Sequence, residues 1–289
     1  MFFKKKKPKI EFFCKVPGIA DTYPIIPASK FSPKWMTACK NDYVRRKSFK
    51  VPSHLQQCPG IFDLYKHGFI IPLWHDTVIK TDGENEAFGY VHPSEILSEM
   101  LQGDPVATHP YNITKFLPKR PQSIAPIMKF NTPWNVIAPK GLKFIMTAVA
   151  YTDTYEFEAA TGILDPSIST ELNVQGYWNK KRGEVQLKAG HALAHLIPLT
   201  EETYDYEVRD ATENDLEWAK KRLYYQIHGF KVNKALIKQM YNKHFRRKKC
   251  RYQKQTLMIL SHIVKLCAKQ RMIILLEKYK KIDTNTCIG

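Results

Sequence analysis

Residues 124–199 decide the fold: IAPIMKFNTPWNVIAPKGLKFIMTAVAYTDTYEFEAATGILDPSISTELNVQGYWNKKRGEVQLKAGHALAHLIPL. Seven runs inside this stretch have strand character. They are Met128–Phe130, Trp134–Ala138, Leu142–Ala150, Tyr155–Ala159, Leu172–Trp178, Glu184–Leu187 and Ala192–Ile197. Each is short and rich in β-branched or aromatic residues, and each is bounded by turn formers. Pro139-Lys140-Gly141 and Asn179–Gly183 read as turns between them. Many short strands at regular spacing predict an all-β core such as a sandwich or barrel.

Upstream, the prolines concentrate before residue 140, which favours short strands and turns over long helices. Lys9–Val16 alternates as a strand, Lys34–Val44 reads as a short helix, and Pro59–His67 is a helical turn stopped by Gly68. Phe69–Lys80 predicts a strand pair or one bent strand, and Asp82-Gly83 a turn. Pro93–Leu101 is helix-like.

Downstream the pattern changes period. Thr212-x-x-Asp215 has the form of a capping box, and Leu216, Ala219, Leu223 and Ile227 then share one helical face. Leu236 and Met240, then Leu257, Leu260, Val264 and Cys267, continue as two further amphipathic stripes. Three regions follow: 1–123, mixed strand and loop packing on the core; 124–210, the β core; and 211–289, a basic helical tail.

Charge follows this division. The 289 residues carry a formal net +18. Residues 215–289 hold 19 Lys+Arg against 4 Asp+Glu, a net +15, leaving +3 for the other 214 residues. Such asymmetry points to a polyanionic partner: nucleic acid, an anionic membrane face or an acidic protein. Arg246, Arg247, Lys248, Lys249 and Arg251 form the densest cluster. The tail's aromatics, among them Tyr224, Tyr241 and Phe245, read as the buried sides of its helices. The six cysteines form no CxxC pair and no zinc or disulfide spacing. No apolar run reaches membrane-spanning length and no signal peptide is evident, so the expected home is the cytoplasm, that of a host cell if the chain is viral.

Gly162–Leu199 also resembles the third conserved motif of the trimeric dUTPases and dCTP deaminases. Gly162-Ile163-Leu164-Asp165 matches the Gly-x-Ile-Asp turn, and Ala189–Leu196 the following x-Gly-x-x-Ile-x-Gln-Leu segment. Pro139-Lys140-Gly141 stands at the family's Pro-x-Gly turn. The resemblance covers roughly Pro133–Leu199 and implies a β-clip or related jelly-roll core, a homotrimer, and Asp165 as a water-activating base or sugar contact. The departures imply lost chemistry. Ile168 stands where dUTPases place their tyrosine, Gln175 where deaminases place the catalytic glutamate, and His195 where the motif has Gln. Leu142–Ala150 lacks the phosphate-binding Arg-Ser. The chain as a whole also resembles uncharacterised proteins of tailed bacteriophages and bacteria.

The expectation is therefore a non-catalytic, dUTPase-like scaffold with a basic tail and no cofactor. The alternatives are a deoxynucleotide enzyme using Asp165 and a virion component. His191 and His195, four apart on a strand, suit a subunit interface better than a metal site. Trp74-His75-Asp76 lacks the His-x-Asp spacing of iron oxygenases.

Overall fold

The computed structural model describes residues 7–46, 53–83, 88–91, 96–109, 114–118 and 120–227. All of them lie in the first of the two units into which the chain divides, Met1–Ile237. The described residues are mostly β. The strands are β1 (Lys9–Cys14), β2 (Ile26–Pro27), β3 (Phe69–Pro72), β4 (Thr77–Asp82), β5 (Phe88–Val91), β6 (Val106–Thr108), β7 (Met128–Phe130), β8 (Trp134–Ile137), β9 (Phe144–Thr147), β10 (Phe157–Ala159), β11 (Gly162–Leu164), β12 (Val174–Trp178), β13 (Arg182–Leu187), β14 (Ala192–Pro198) and β15 (Asp205–Asp210). Five helices accompany them: α1 (Ile19–Thr22), α2 (Lys34–Arg46), α3 (Pro59–Leu64), α4 (Ile96–Leu101) and α5 (Glu213–Ile227). None of these helices is long and apolar enough to cross a membrane.

The strands form four sheets, ordered β15-β1-β8, β10-β12-β7-β6, β11-β9-β14-β3-β2 and β13-β4-β5. Every pairing is antiparallel except β1 with β15, which run parallel with Lys9 opposite Asp205 and Cys14 opposite Asp210. Strands from before residue 124 pair with later ones in all four sheets: β1 with β8, β3 with β14, β4 with β13, and β6 with β7.

Alternation within each strand builds one main core. On β1, Ile10, Phe12 and Cys14 face inward. On β14, Leu193, Ala194 and Leu196 do so. Two consecutive residues reach the core there because the β14–β3 register slips between Ala192 and Ala194, the mark of a bulge. Trp74, Trp134 and Trp178 are the largest fully buried side chains. A second, smaller cluster lies on the other face of β3, where Ala28, Tyr65, Ile70 and Val149 pack with Trp35 and Met36 of α2.

Two glycines are dictated by space. Gly68 has φ +80, and a Cβ there would strike the Leu196 carbonyl of β14. Gly176 on β12 sits opposite Ala159, and a Cβ would strike the Glu158 carbonyl and come within 2.6 Å of the Phe157 ring.

The Thr212-x-x-Asp215 capping box forms as read. The Asp215 N–H donates to Thr212 Oγ1 at 3.3 Å, and the Thr212 N–H donates to Asp215 Oδ2 at 3.0 Å. The helix it opens is described to Ile227. The two later amphipathic stripes, and Arg246, Arg247, Lys248, Lys249 and Arg251, lie outside the described residues.

Candidate functional site

A cleft of about 780 Å³ opens beside β10 and the turn that enters β14. Its floor is apolar, with Ala148, Val149, Phe157 and Leu193. Glu156, Asn179, Lys180 and His191 supply polar groups, and Tyr151 and Tyr155 stand at its lip. The volume falls in the range of about 300–1,000 Å³ typical of ligand sites.

The lip is a loop because β9 ends at Thr147 and pairing resumes only at Phe157. Packing from both sides fixes it. The Trp35 indole N–H donates to the Tyr151 carbonyl at 2.5 Å, and the two rings meet edge to face at 6.0 Å. The Tyr65 hydroxyl donates to the Ala150 carbonyl, and burial pushes its pKa up to about 12. On the far side, Asn179 donates its side-chain N–H to the Tyr155 carbonyl at 3.0 Å and its backbone N–H to the Glu156 carbonyl at 2.6 Å. Ser123 Oγ in turn donates to Asn179 Oδ1 at 2.5 Å. Held this way, Tyr151 adopts φ +51, a left-handed conformation that a bulky residue occupies only where its surroundings impose it.

His191 reaches the cleft from a tight turn. Gly190 has φ +85, the His191 N–H donates to the Lys188 carbonyl at 3.0 Å, and the His191 carbonyl accepts from the Leu73 N–H at 2.7 Å. Burial holds the imidazole below its ordinary range, partly opposed by the Glu156 carboxylate. At neutral pH the ring is uncharged, offering one donor and one acceptor.

Asp165 lies elsewhere and does not line the cleft. Its Oδ1 accepts from the Ser167 N–H at 2.9 Å and from Ser167 Oγ at 2.5 Å. Its carbonyl accepts from the N–H groups of Ile168 and Ser169. The aspartate thus shapes its own turn. The nearest cation paired with it is Lys143, whose Nζ is 3.9 Å from Oδ2. The Pro-x-Gly turn forms as read: the Leu142 N–H donates to the Pro139 carbonyl, and Gly141 has φ +90.

His191 and His195 face different neighbours. His191 precedes β14 and lines the cleft, whereas His195 is fully buried within the strand. The His195 Nε2–H donates to the His67 carbonyl at 2.7 Å, and its ring stacks on Tyr65 at 6.0 Å. Burial lowers its pKa, with that hydrogen bond opposing. Among the described residues no group of three or more His, Cys, Asp or Glu is placed to hold a metal ion.

Tyr151, Tyr155, Glu156 and Asn179 are not evident from sequence patterns. The signal that marks three of them is Tyr-Thr-Asp-Thr-Tyr-Glu, residues 151–156, a polar, tyrosine-bearing break between two apolar runs. In comparisons with known proteins, no family model, no curated protein and no solved structure matches this chain.

Proposed function

We propose that this chain is a binding protein: a β-clip-like scaffold, without deoxynucleotide chemistry, whose basic C-terminal segment engages a polyanion. The observation that carries the reading is the placement of charge. Residues 228–289 hold 16 Lys+Arg against 2 Asp+Glu, a net +14, which leaves +4 for residues 1–227. Within the described body, several cations are matched to carboxylates. Lys9 pairs with Glu207, Lys15 with Glu171, Arg120 with Glu158, Lys188 with Asp76, and Arg209 with Glu11 and Asp215. Most of the net charge available to an external partner therefore lies after Ile227. Against the enzymatic alternative stand the commitment of Asp165 to its own turn and a cleft with Lys180 as its one lining Lys or Arg among the described residues. A nucleotide's phosphates need several charge-assisted hydrogen bonds.

The test is a titration of fluorescent duplex DNA and single-stranded RNA by the full chain at several salt concentrations. A second protein carries glutamine at Arg246, Arg247, Lys248, Lys249 and Arg251. Five phosphate contacts on duplex DNA give a log–log salt slope of about −4 to −5, and the glutamine variant should lose most of it. Such contacts read no bases, so sequence preference should be weak. No binding at low salt defeats the nucleic-acid assignment and leaves an acidic protein as the partner. Equal binding by the glutamine variant moves the contact to other cations. Sedimentation equilibrium tests the homotrimer that the dUTPase resemblance implies.

A further inference from the structure

We propose that the cleft between Tyr151, Tyr155 and His191 binds an uncharged, hydroxyl-rich ligand with one apolar face, the chemistry of a sugar ring. This proposal rests on the residues that line the cleft and not on the proposed polyanion binding.

Three observations point to that ligand. The first is the lip. Tyr155 is 77% exposed and Tyr151 57% exposed, yet the backbone that carries them is pinned from both sides. A tyrosine left in water on a mobile loop is unremarkable. Two on a loop locked by Trp35, Tyr65 and Asn179, one of them at φ +51, form a preset aromatic shelf. Such a shelf gives a ligand contact area at little entropic cost.

The second is the charge of the cleft. Its lining carboxylates are Glu156 and Glu158, and its lining ammonium is Lys180. Glu158 is answered from outside the lining by Arg120, whose guanidinium also lies 3.9 Å from the Tyr177 ring centroid. Lys180 Nζ is 3.4 Å from the Glu184 carbonyl, to which it donates. Among the described residues Lys180 is the one Lys or Arg lining the cavity, too few cations for a phosphate clamp, so phosphorylated ligands are disfavoured.

The third is the mixture of groups. Glu156 accepts, Lys180 donates, and a neutral His191 does both. Glu156 Oε2 also accepts from the Tyr155 backbone N–H at 3.1 Å, which holds the carboxylate against the loop. A ring of hydroxyls, each both donor and acceptor, satisfies such a set. The apolar C–H face of the same ring rests on tyrosine and on the floor of Ala148, Val149 and Leu193. A nucleobase has two flat faces and needs a slot, whereas a sugar ring needs one aromatic wall and one polar wall.

The experiment is saturation-transfer NMR with the full chain and a panel of probes. The neutral probes are glucose, galactose, mannose, N-acetylglucosamine and their 1,4-linked disaccharides. Glucose 6-phosphate and deoxyuridine are the competing chemistries. The expected result is saturation of at least one neutral sugar, strongest at its C–H face. Tyr155→Ala should weaken that binding about tenfold, the scale of one lost ring contact. Because Tyr155 is exposed, the substitution leaves the fold intact. Phe116→Ala, at a residue 84% exposed outside the cleft, should leave binding unchanged. The proposal is overturned if no neutral sugar in the panel binds, or if Tyr155→Ala binds as well as the parent. It is equally overturned if glucose 6-phosphate or deoxyuridine binds where neutral sugars do not.

Discussion

Arg209→Met should destabilise the body by about 2–4 kcal/mol, and the structure says why. The Arg209 guanidinium donates to Asp215 Oδ2 at 2.7 Å, to Glu11 Oε2 at 3.2 Å and to the Asp210 carbonyl at 3.0 Å. Its carbon lies 5.7 Å from the Phe13 ring centroid. The side chains are 19% exposed for Arg209, 16% for Glu11 and 5% for Asp215. Removing one partner of a buried ion pair costs roughly 3–5 kcal/mol, because the other charge is left unpaired. Glu11 keeps further interactions and some water, so the lower figure applies. With a urea m-value of about 2 kcal/mol/M, the unfolding midpoint should fall by roughly 1–2 M at unchanged m. Arg209→Met with Asp215→Asn should recover about 1–2 kcal/mol by removing the stranded charge.

The pH dependence of this loss has a fixed sign. Burial pushes the Asp215 carboxyl up, but hydrogen bonds from Arg209 and Thr212 outweigh it and hold the pKa below the usual range. A depressed carboxyl stabilises the fold above its unfolded pKa of about 3.9, and this is lost as pH falls through the folded value. Without Arg209, only the Thr212 hydrogen bonds oppose burial and the carboxyl rises relative to the parent's, so acid costs the variant less than it costs the parent. The difference between the two should therefore be largest near pH 7 and shrink below about pH 4. A midpoint within about 0.3 M of the parent at pH 7, or a difference that grows in acid, refutes the reasoning.

Gly176→Ala should lower stability by about 1–3 kcal/mol, since its Cβ meets the Glu158 carbonyl and the Phe157 ring; a thermal midpoint within about 1 °C of the parent contradicts this. Burial pushes the Cys14 thiol up to about 12, so brief iodoacetamide treatment at pH 8 followed by peptide mapping should label exposed Cys58 and spare Cys14 until urea is added. His109, His191 and His195 are all held low, with burial as the largest cause, so their ring protons should titrate below pH 6.5 by NMR. Their folded pKa values are depressed, so the stability they contribute is complete above about pH 6.5 and is lost as pH falls.

Much of the β architecture was legible because the strands of residues 124–199 are apolar on at least one face and are cut by Gly and Pro. All seven runs read there overlap strands, and β7 coincides at both ends. β15 was not legible. Asp-Tyr-Glu-Val-Arg-Asp has only Tyr206 and Val208 alternating among four charged residues, and it becomes a strand through pairing with β1 and through Lys9–Glu207 and Glu11–Arg209 across the pair. β11 was read as a turn entry because only three residues precede Asp165 in the strand. The even spacing of His191 and His195 suggested one shared face. The bulge at Ala192–Ala194 breaks that parity, and a bulge leaves no periodic trace in sequence. The cleft was hidden for a different reason: it joins residues 148–159, 179–180 and 191–193, and only the fold brings these together.

The same contrast decides where the basic segment can be separated for experiment. By charge alone, a cut at Asp215 removes a net +15, and a cut after Ile227 removes +14. The two are nearly equivalent electrostatically but not structurally. Asp215 is buried, caps α5, and holds Arg209 over Phe13 beside the parallel β1–β15 pair. Deleting from Asp215 strands Arg209 and removes the acceptor for the Thr212 N–H. Any loss of binding would then mix lost charge with a damaged body. Deleting from residue 228 removes the charge and leaves this network whole. A chain ending at Ile227 should keep the parent's resistance to urea and the cleft's ligand while losing polyanion affinity. If it loses affinity for both ligands, the body and the segment after it do not act independently.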